Sequence, residues 1–266
     1  MRITFLSNHD LASTFALNLL LEIFQTHDTS LFFTHKAANK PAKALLALST
    51  FERCVLQKLS TSKSKLKSID QLANKYCRFS GQLNSANDGA DFELLKQSNP
   101  SLIVSIRHMT ILQDHVIGLA RQGVINLHSG LLPQYQGVMA SFWAMLNREA
   151  KLGSTLHHIL NAEIDSGDII NMSEVACNYS HSYLWNVLNL YPTGTKMIVD
   201  AVARLEEFGS INAMPQTGRP QYHSFPTDSD ISDFNKAGNQ LFWENELSDF
   251  GFNWISAQKQ GIDKLA

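Results

Sequence analysis

Through the first half of the chain, short apolar runs alternate with longer stretches of helical spacing, the pattern of an α/β fold with a mostly parallel sheet flanked by helices. Residues 2 to 6 (RITFL) predict a buried strand, and Ser7-Asn8-His9-Asp10 a loop that caps the next helix. Leu11, Phe15, Leu19, Leu20 and Phe24 give that helix one apolar face. A second strand is expected over Ser30 to Thr34, followed by helical spacing from about 38 to 59. Asp91 to Gln97 reads as a short helix broken by Asn99-Pro100, and Leu102 to Ile106 (LIVSI) as a buried strand. Leu112 to Arg121 reads as helix, Gln122-Gly123 as a turn, and Val124-Ile125-Asn126 as another short strand.

From Leu127 to Val138 the chain gives up regular spacing. A helix (Ser141 to Arg148), two strands (Ser154 to Leu160 and Asp168 to Glu174) and a helical segment over about 181 to 208 follow. Pro192 should kink or split that last segment, because it removes a helical donor and crowds the preceding turn. Beyond Gly209 the texture is turn-rich, with Pro215, Gly218, Pro220 and Pro226 close together. A helical and irregular tail then carries Phe234, Leu241, Phe242, Trp243, Phe250, Phe252 and Trp254. Such aromatic density predicts packing on the core or on a second copy of the chain, a homodimer through the tail. The expected division is a main domain over 1–208 and a C-terminal extension over 209–266.

Composition narrows the class. A chain of 266 residues, 44% apolar and 17% charged, has material for one large core with an appendage. A net charge of −2 argues against a protein dominated by nucleic-acid or membrane electrostatics. The lysine-rich run at 61–67 (TSKSKLK), with Lys58, Lys75 and Arg78 nearby, reads as a solvated helix end or loop, or else as a surface for a phosphate-bearing or anionic substrate; with no aromatics interleaved for base stacking it does not read as a nucleic-acid platform. No apolar run reaches the roughly 18 residues of a membrane span, and the first ten residues do not form a signal peptide. A cytoplasmic protein is expected. Cys54, Cys77 and Cys177 are odd in number and in no metal-ligand spacing, so reduced thiols and no metal site are expected.

The chemistry-bearing stretch runs from 124 to 170. Asn126 and His128 lie two apart at the end of a strand, and in extended backbone such residues point to the same side. Their amide and imidazole can converge at the carboxyl end of a sheet, where open α/β sheets place ligands. Gly130-Leu131-Leu132-Pro133, Tyr135 and Gly137 follow in a loop whose glycines and proline cost regular structure. Asp165 sits in a tight turn, Ile164-Asp165-Ser166-Gly167-Asp168, that can bring a carboxylate over the sheet edge. An amide donor, an imidazole and a carboxylate suit acyl transfer to an amine. The amide stabilises an oxyanion, worth roughly 2.7–4 kcal/mol per donor. The histidine shuttles the proton lost by the amine, and the carboxylate holds the imidazolium. By spacing alone Asp165 is equally a turn residue and His128 a structural hydrogen-bonder, so these residues support an α/β enzyme without naming a carrier.

The segment Asn126 to Gly137 (NLHSGLLPQYQG) resembles the N-x-H-x-S-L-L-P-x-Y-x-G signature of the folate-dependent formyltransferases. That family includes glycinamide ribonucleotide, methionyl-tRNA and sugar-nucleotide enzymes. Gly153-Ser154-Thr155-Leu156-His157 and Ile164 to Ile170 are similar to its G-x-T-x-H and I-D-x-G-x-I-I elements. The resemblance spans about residues 1 to 205 and implies a Rossmann-like domain using 10-formyltetrahydrofolate as co-substrate. It implies that Asn126, His128 and Asp165 are catalytic. It places the pterin against Met109, Thr110, Ile111 and Leu112 and against Asn161, Ala162, Glu163 and Ile164.

Departures from the pattern are Gly130 for the usual serine, expected to loosen the loop, and Thr110 for a common arginine. One extra residue between Thr155 and Asp165 leaves either His157 or His158 to take the family histidine's place. The segment after 209 is too short and aromatic to resemble the β-barrel of the tRNA enzymes, while Tyr222 to Thr227 (YHSFPT) is loosely similar to the post-core segment of sugar-type members.

A small-molecule amine such as an amino-sugar nucleotide is therefore the expected acceptor, with Ser7, Asn8 and Tyr135 as its contacts. The end of the first strand precedes a helix N-terminus where a substrate phosphate could sit, or which a plain cap could fill. A nucleic-acid partner, as in a tRNA enzyme, and a ribonucleotide acceptor are less favoured. So are a formyltetrahydrofolate deformylase, which usually carries a domain before the first strand, and a folate-binding protein with an inactive site.

Overall fold

The computed structural model describes residues 1–34, 41–61 and 66–246. In chain order the elements are β1 (Arg2–Asn8), α1 (Leu11–Leu20), β2 (Asp28–Thr34), α2 (Lys43–Thr61), α3 (Ile69–Tyr76), β3 (Cys77–Gln82), α4 (Gly89–Gln97), β4 (Leu102–Ile106), α5 (Asp114–Ile117) and β5 (Val124–His128). Then come β6 (Gln136–Gly137), α6 (Ala140–Leu146), β7 (Lys151–Ile159), β8 (Ile169–Ala176), α7 (Tyr183–Leu188), α8 (Tyr191–Phe208), β9 (Tyr222–His223) and α9 (Asp228–Lys236). Seven strands form one sheet in the order β3-β2-β1-β4-β5-β7-β8. β1 to β5 run parallel, while β7 is antiparallel to both β5 and β8.

Alternation along the central strands builds two cores. Phe5, Leu31, Val104 and Ile125 join the larger cluster with α1 and α8, and their neighbours Leu6, Phe32, Ile103 and Val124 join Leu95 and Val116 on the other face. Because the chain runs outward from β1 to β3 and then returns to β4 on the other side of β1, the strand order reverses at the β1/β4 junction. Crevices form beyond the carboxyl ends of strands at such a junction.

Several boundaries differ from the sequence expectation. Ser7 and Asn8 belong to β1, paired with Phe33 and Thr34, and the cap of α1 is Asp10, whose Oδ1 accepts from Ser13 N at 2.7 Å. The expected 11–24 helix ends at Leu20, and Phe24 falls in a short 3-10 turn. The 112–121 helix is a single turn capped by Gly118. β5 continues through Leu127 and His128, where irregular chain was expected. The helical segment at 181–208 is split as foreseen: α7 and α8 are separate, with Pro192 in the first turn of α8, where its missing N–H costs nothing. The start of the expected 38–59 helix, part of the 61–67 run, and Phe250, Phe252 and Trp254 lie outside the described residues.

The described part of the tail packs on the core. Phe234 is fully buried and stacks on Phe142 with ring centres 4.5 Å apart, and Phe242 stacks on Phe51 at 4.3 Å. Buried Glu246 accepts from Ser182 N at 3.0 Å and from its hydroxyl, tying the chain back to the start of α7. All three cysteines are unpaired thiols. No described helix is long and apolar enough to cross a membrane.

Candidate active site

A cavity of about 970 Å³ opens beyond the carboxyl ends of β1, β4 and β5. It is lined by Asn8 at the end of β1 and Asp10 just after it, by Arg107 to Leu112 after β4, and by Asn126 to Ser129 at the end of β5. Asn161 to Asp165, in the turn between β7 and β8, close one side. Asn126, His128 and Asp165 therefore line one cavity, as do all eight residues expected to hold the pterin.

His128 is buried, and its two ring nitrogens are both engaged. Nε2 donates to the Tyr135 carbonyl at 2.6 Å, and Nδ1 faces Asp165 Oδ2 at 3.5 Å. With two acceptors flanking it, a doubly protonated ring satisfies both, whereas a neutral ring turns the Nδ1 lone pair toward the carboxylate. His157 answers the choice left open in the sequence. It is buried at 1% exposure, with Nε2 3.4 Å from Asp165 Oδ1 and 3.1 Å from the Asn126 amide nitrogen. Its Nδ1 donates to the His158 carbonyl at 2.9 Å, which turns Nε2 to the site. A register irregularity between Leu156 and His157 accompanies this arrangement, and the His158 backbone N–H bonds to the Asp168 carbonyl.

Asp165 is the hub of the cluster. Its side chain is 12% exposed, and Oδ2 also accepts from the Gly137 backbone N–H at 2.9 Å. Burial pushes the carboxyl up, but His128, the His157 hydrogen bond and charge, and the Gly137 N–H outweigh that and hold it at about 2. Gly137 has φ +94, and a Cβ there would collide with the His223 carbonyl, so only glycine brings this N–H to the carboxylate.

Gly130 does the opposite of loosening its loop. A Cβ at that position would stand 2.5 Å from the Ala140 Cβ and 2.7 Å from His128 Nε2. The glycine thus lets the loop close over the imidazole and bring the Tyr135 carbonyl to it. Gly130→Ser is expected to lower kcat about 10- to 100-fold by displacing the ring. A steady-state kcat equal to that of the unmodified chain would show that the ring tolerates the added atoms.

The expected acceptor contacts fare unevenly. Asn8 lines the cavity. Ser7 does not: it is fully buried, and its hydroxyl donates to the Ile106 carbonyl at 3.0 Å within the sheet. The Tyr135 hydroxyl points away, donating to Glu149 at 2.8 Å, and only its backbone carbonyl serves the site. A phosphate at the α1 N-terminus is disfavoured as well. The Asp10 carboxylate already occupies that end, paired with Arg107 at 2.9 Å. Glu52 of α2 lines the same part of the cavity, and burial together with the Asp10 charge pushes it up to about 8 despite Arg107.

The two expected pterin walls present apolar surface, with Ile111 49% and Ile164 39% exposed on the cavity lining. Asn87 braces the first wall: its amide donates to the Ile111 carbonyl and accepts from Gln113 N, both at 2.9 Å. Asn161 Oδ1 accepts from Glu163 N at 2.8 Å, tightening the second. The sequence reading passed over Asn87, Arg107 and the Gly137 N–H. Asn87 and Arg107 are polar residues in loops with no motif of their own, and nothing short of the folded chain shows what they touch.

The chain matches a family model described as formyl transferase over residues 32–183. It is similar to the methionyl-tRNA formyltransferase of Thermodesulfovibrio yellowstonii, 28% identical over 149 residues that cover 56% of this chain and 48% of that protein. The methionyl-tRNA formyltransferase of Ralstonia nicotianae is 33% identical over 127 residues, 48% of this chain and 38% of that protein. The chain thus spans half or less of the curated relatives it matches.

Among solved structures, the N-formyltransferase from Helicobacter canadensis, in complex with folinic acid and dTDP-3-aminofucose, shares the fold with a TM-score of 0.54 and 17% identity, covering 86% of this chain and 71% of that one. Glycinamide ribonucleotide transformylase 1 from Symbiobacterium toebii does so with a TM-score of 0.56 and 14% identity, covering 80% and 93%. With the family model matching more than half of its length, the chain belongs to the formyl transferase family.

Proposed function

We propose that the chain moves a formyl group from 10-formyltetrahydrofolate to the primary amine of a small molecule, with an amino-sugar nucleotide as the favoured acceptor class. The observation that carries this reading is the meeting of Asn126, His128, His157 and Asp165 through contacts of 3.1–3.5 Å beside an apolar-walled cavity. Bound folate would supply the formyl carbon, held by Met109 to Leu112 on one side and Asn161 to Ile164 on the other.

The chain's own groups supply the rest. The Asn126 amide offers N–H to a carbonyl oxygen that gains negative charge under attack by an amine. His128, held by Asp165, takes at Nδ1 the proton the amine gives up, and that proton would leave on N10 of tetrahydrofolate as the bond between the formyl carbon and N10 breaks. His157 fixes the Asn126 amide and Asp165, touching the amide nitrogen and the second carboxylate oxygen. We assign this chemistry to residues 1–208 and a bracing role to the described residues 209–246.

Charge weighs against a tRNA acceptor. Among the described lining residues the arginines are Arg53 and Arg107, and Arg107 is already paired with Asp10. A tRNA acceptor calls for clustered cations. The Helicobacter canadensis protein, whose complex holds an aminofucose nucleotide, is matched over most of this chain, including residues beyond the family model.

Incubation with 10-formyltetrahydrofolate and a panel of amines, followed by assay of free tetrahydrofolate, tests the reading. Amino-sugar nucleotides should trigger release. Release without any amine would instead make the chain a hydrolase, and release only with aminoacyl-tRNA or a ribonucleotide amine would overturn the acceptor class.

A further inference from the structure

Asp165 has φ +50, a left-handed conformation that costs a non-glycine residue of order 1 kcal/mol and persists only when its surroundings hold it. The hydrogen bonds show what does so. The Asp165 carbonyl accepts from two side-chain amides, Gln136 Nε2 at 3.1 Å and Gln216 Nε2 at 2.7 Å, which fills both of its lone pairs. Gln216 Nε2 also donates to the Gly167 carbonyl at 2.9 Å, so one side chain spans the turn on either side of Ser166. Gln216 comes from the segment after α8, 51 residues beyond Asp165.

That segment is anchored to the site along its length. Met214 and Ile169 exchange backbone hydrogen bonds beside the turn. Farther on, Gln221 N donates to the Pro133 carbonyl, Gln136 N to the Gln221 carbonyl, and Val138 N to the His223 carbonyl. The His223 ring lies between Tyr135 and Trp143, with centres 5.5 and 5.1 Å away. One strap therefore holds both the loop whose Gly137 N–H and Tyr135 carbonyl serve the site and the turn that carries Asp165.

We propose that Gln216 is a positioning residue for Asp165, clamping the strained turn so that the carboxylate stays between His128 and His157. This rests on the reading of Asp165 as part of the catalytic machinery. Gln216 touches no reacting atom. Its two donors fix a backbone that the turn's own sequence does not favour.

Two substitutions separate positioning from mere support. Gln216→Met keeps the volume and removes both donors, and Gln216→Glu sets an acceptor against two carbonyls. Gln216→Met should lower kcat about 10- to 100-fold, the range a displacement near 1 Å produces, with tetrahydrofolate affinity held within about twofold. Gln216→Glu should fall further.

An independent readout needs no turnover. The ¹³Cγ signal of Asp165, faced by the titratable rings of His128 and His157, should titrate near 2 in the unmodified chain and move up by about one unit or more in Gln216→Met, as the carboxylate leaves its partners. An unmoved titration with kcat within twofold would overturn the proposal. So would losses of folate affinity and melting temperature in step with kcat, which would mark Gln216 as structural support alone. If the unmodified chain formylated no amine, the proposed function would fail while the titration still decided the role of Gln216.

Discussion

Asp165→Asn should lower kcat about a thousandfold, within the range that loss of a positioned acid–base partner produces. The variant keeps the shape of the turn and can still accept the Gly137 N–H. It cannot carry the charge that His128 and His157 both face at 3.4–3.5 Å. Stability supplies a second measurement. The folded carboxyl, held at about 2, lies below its ordinary value of about 4, so its contribution is fully present above pH 4 and is lost as pH falls toward 2. That contribution is on the order of 2 kcal/mol for a shift of this size. Denaturant titrations from pH 5 to pH 2 should show the unmodified chain losing more stability than Asp165→Asn. Parallel curves, or a variant that turns over within tenfold of the original rate, would remove Asp165 from the mechanism.

The fold was legible wherever strands are buried on both faces. β4 matches its apolar run, and β1 and β2 extend theirs by two residues because their ends, Ser7, Asn8 and Asp28, Thr29, are polar but still paired in the sheet. β3 went unread, since as an edge strand it alternates half-buried and exposed positions with the sequence CRFSGQ and has no apolar run to announce it. The adjoining α3 is only eight residues long, although its capping box at Ser68 and Gln71 was available as a signal. At the site, the two-residue spacing of Asn126 and His128 predicted a shared side of one strand end. The distance from either to Asp165 was beyond any local rule and came from family resemblance. Ser7 and Tyr135 were misjudged for one reason: their hydroxyls have partners in the sheet and on Glu149 that no spacing reveals.

His128→Ala carries the other large expected effect, a fall in kcat of about 10²- to 10⁴-fold with tetrahydrofolate binding changed by less than about threefold. The asymmetry follows from where the ring sits. His128 is bonded to the Tyr135 carbonyl and faces Asp165, and the apolar walls at Met109 to Leu112 and Asn161 to Ile164 do not depend on it. Removing the ring also leaves a buried carbonyl without its donor, at a cost of about 1–3 kcal/mol, so a modest drop in melting temperature should accompany the loss of rate. Added imidazole offers a finer discrimination. The cavity left by the ring adjoins the open site, and a small imidazole that enters it can restore a proton carrier between Asp165 and the amine without restoring the Tyr135 contact. Partial recovery of rate at high imidazole, with no recovery of melting temperature, is the expected pattern. If His128→Ala instead lost folate affinity as steeply as it lost rate, the ring would belong to the binding wall, and the proton would have to travel by way of His157.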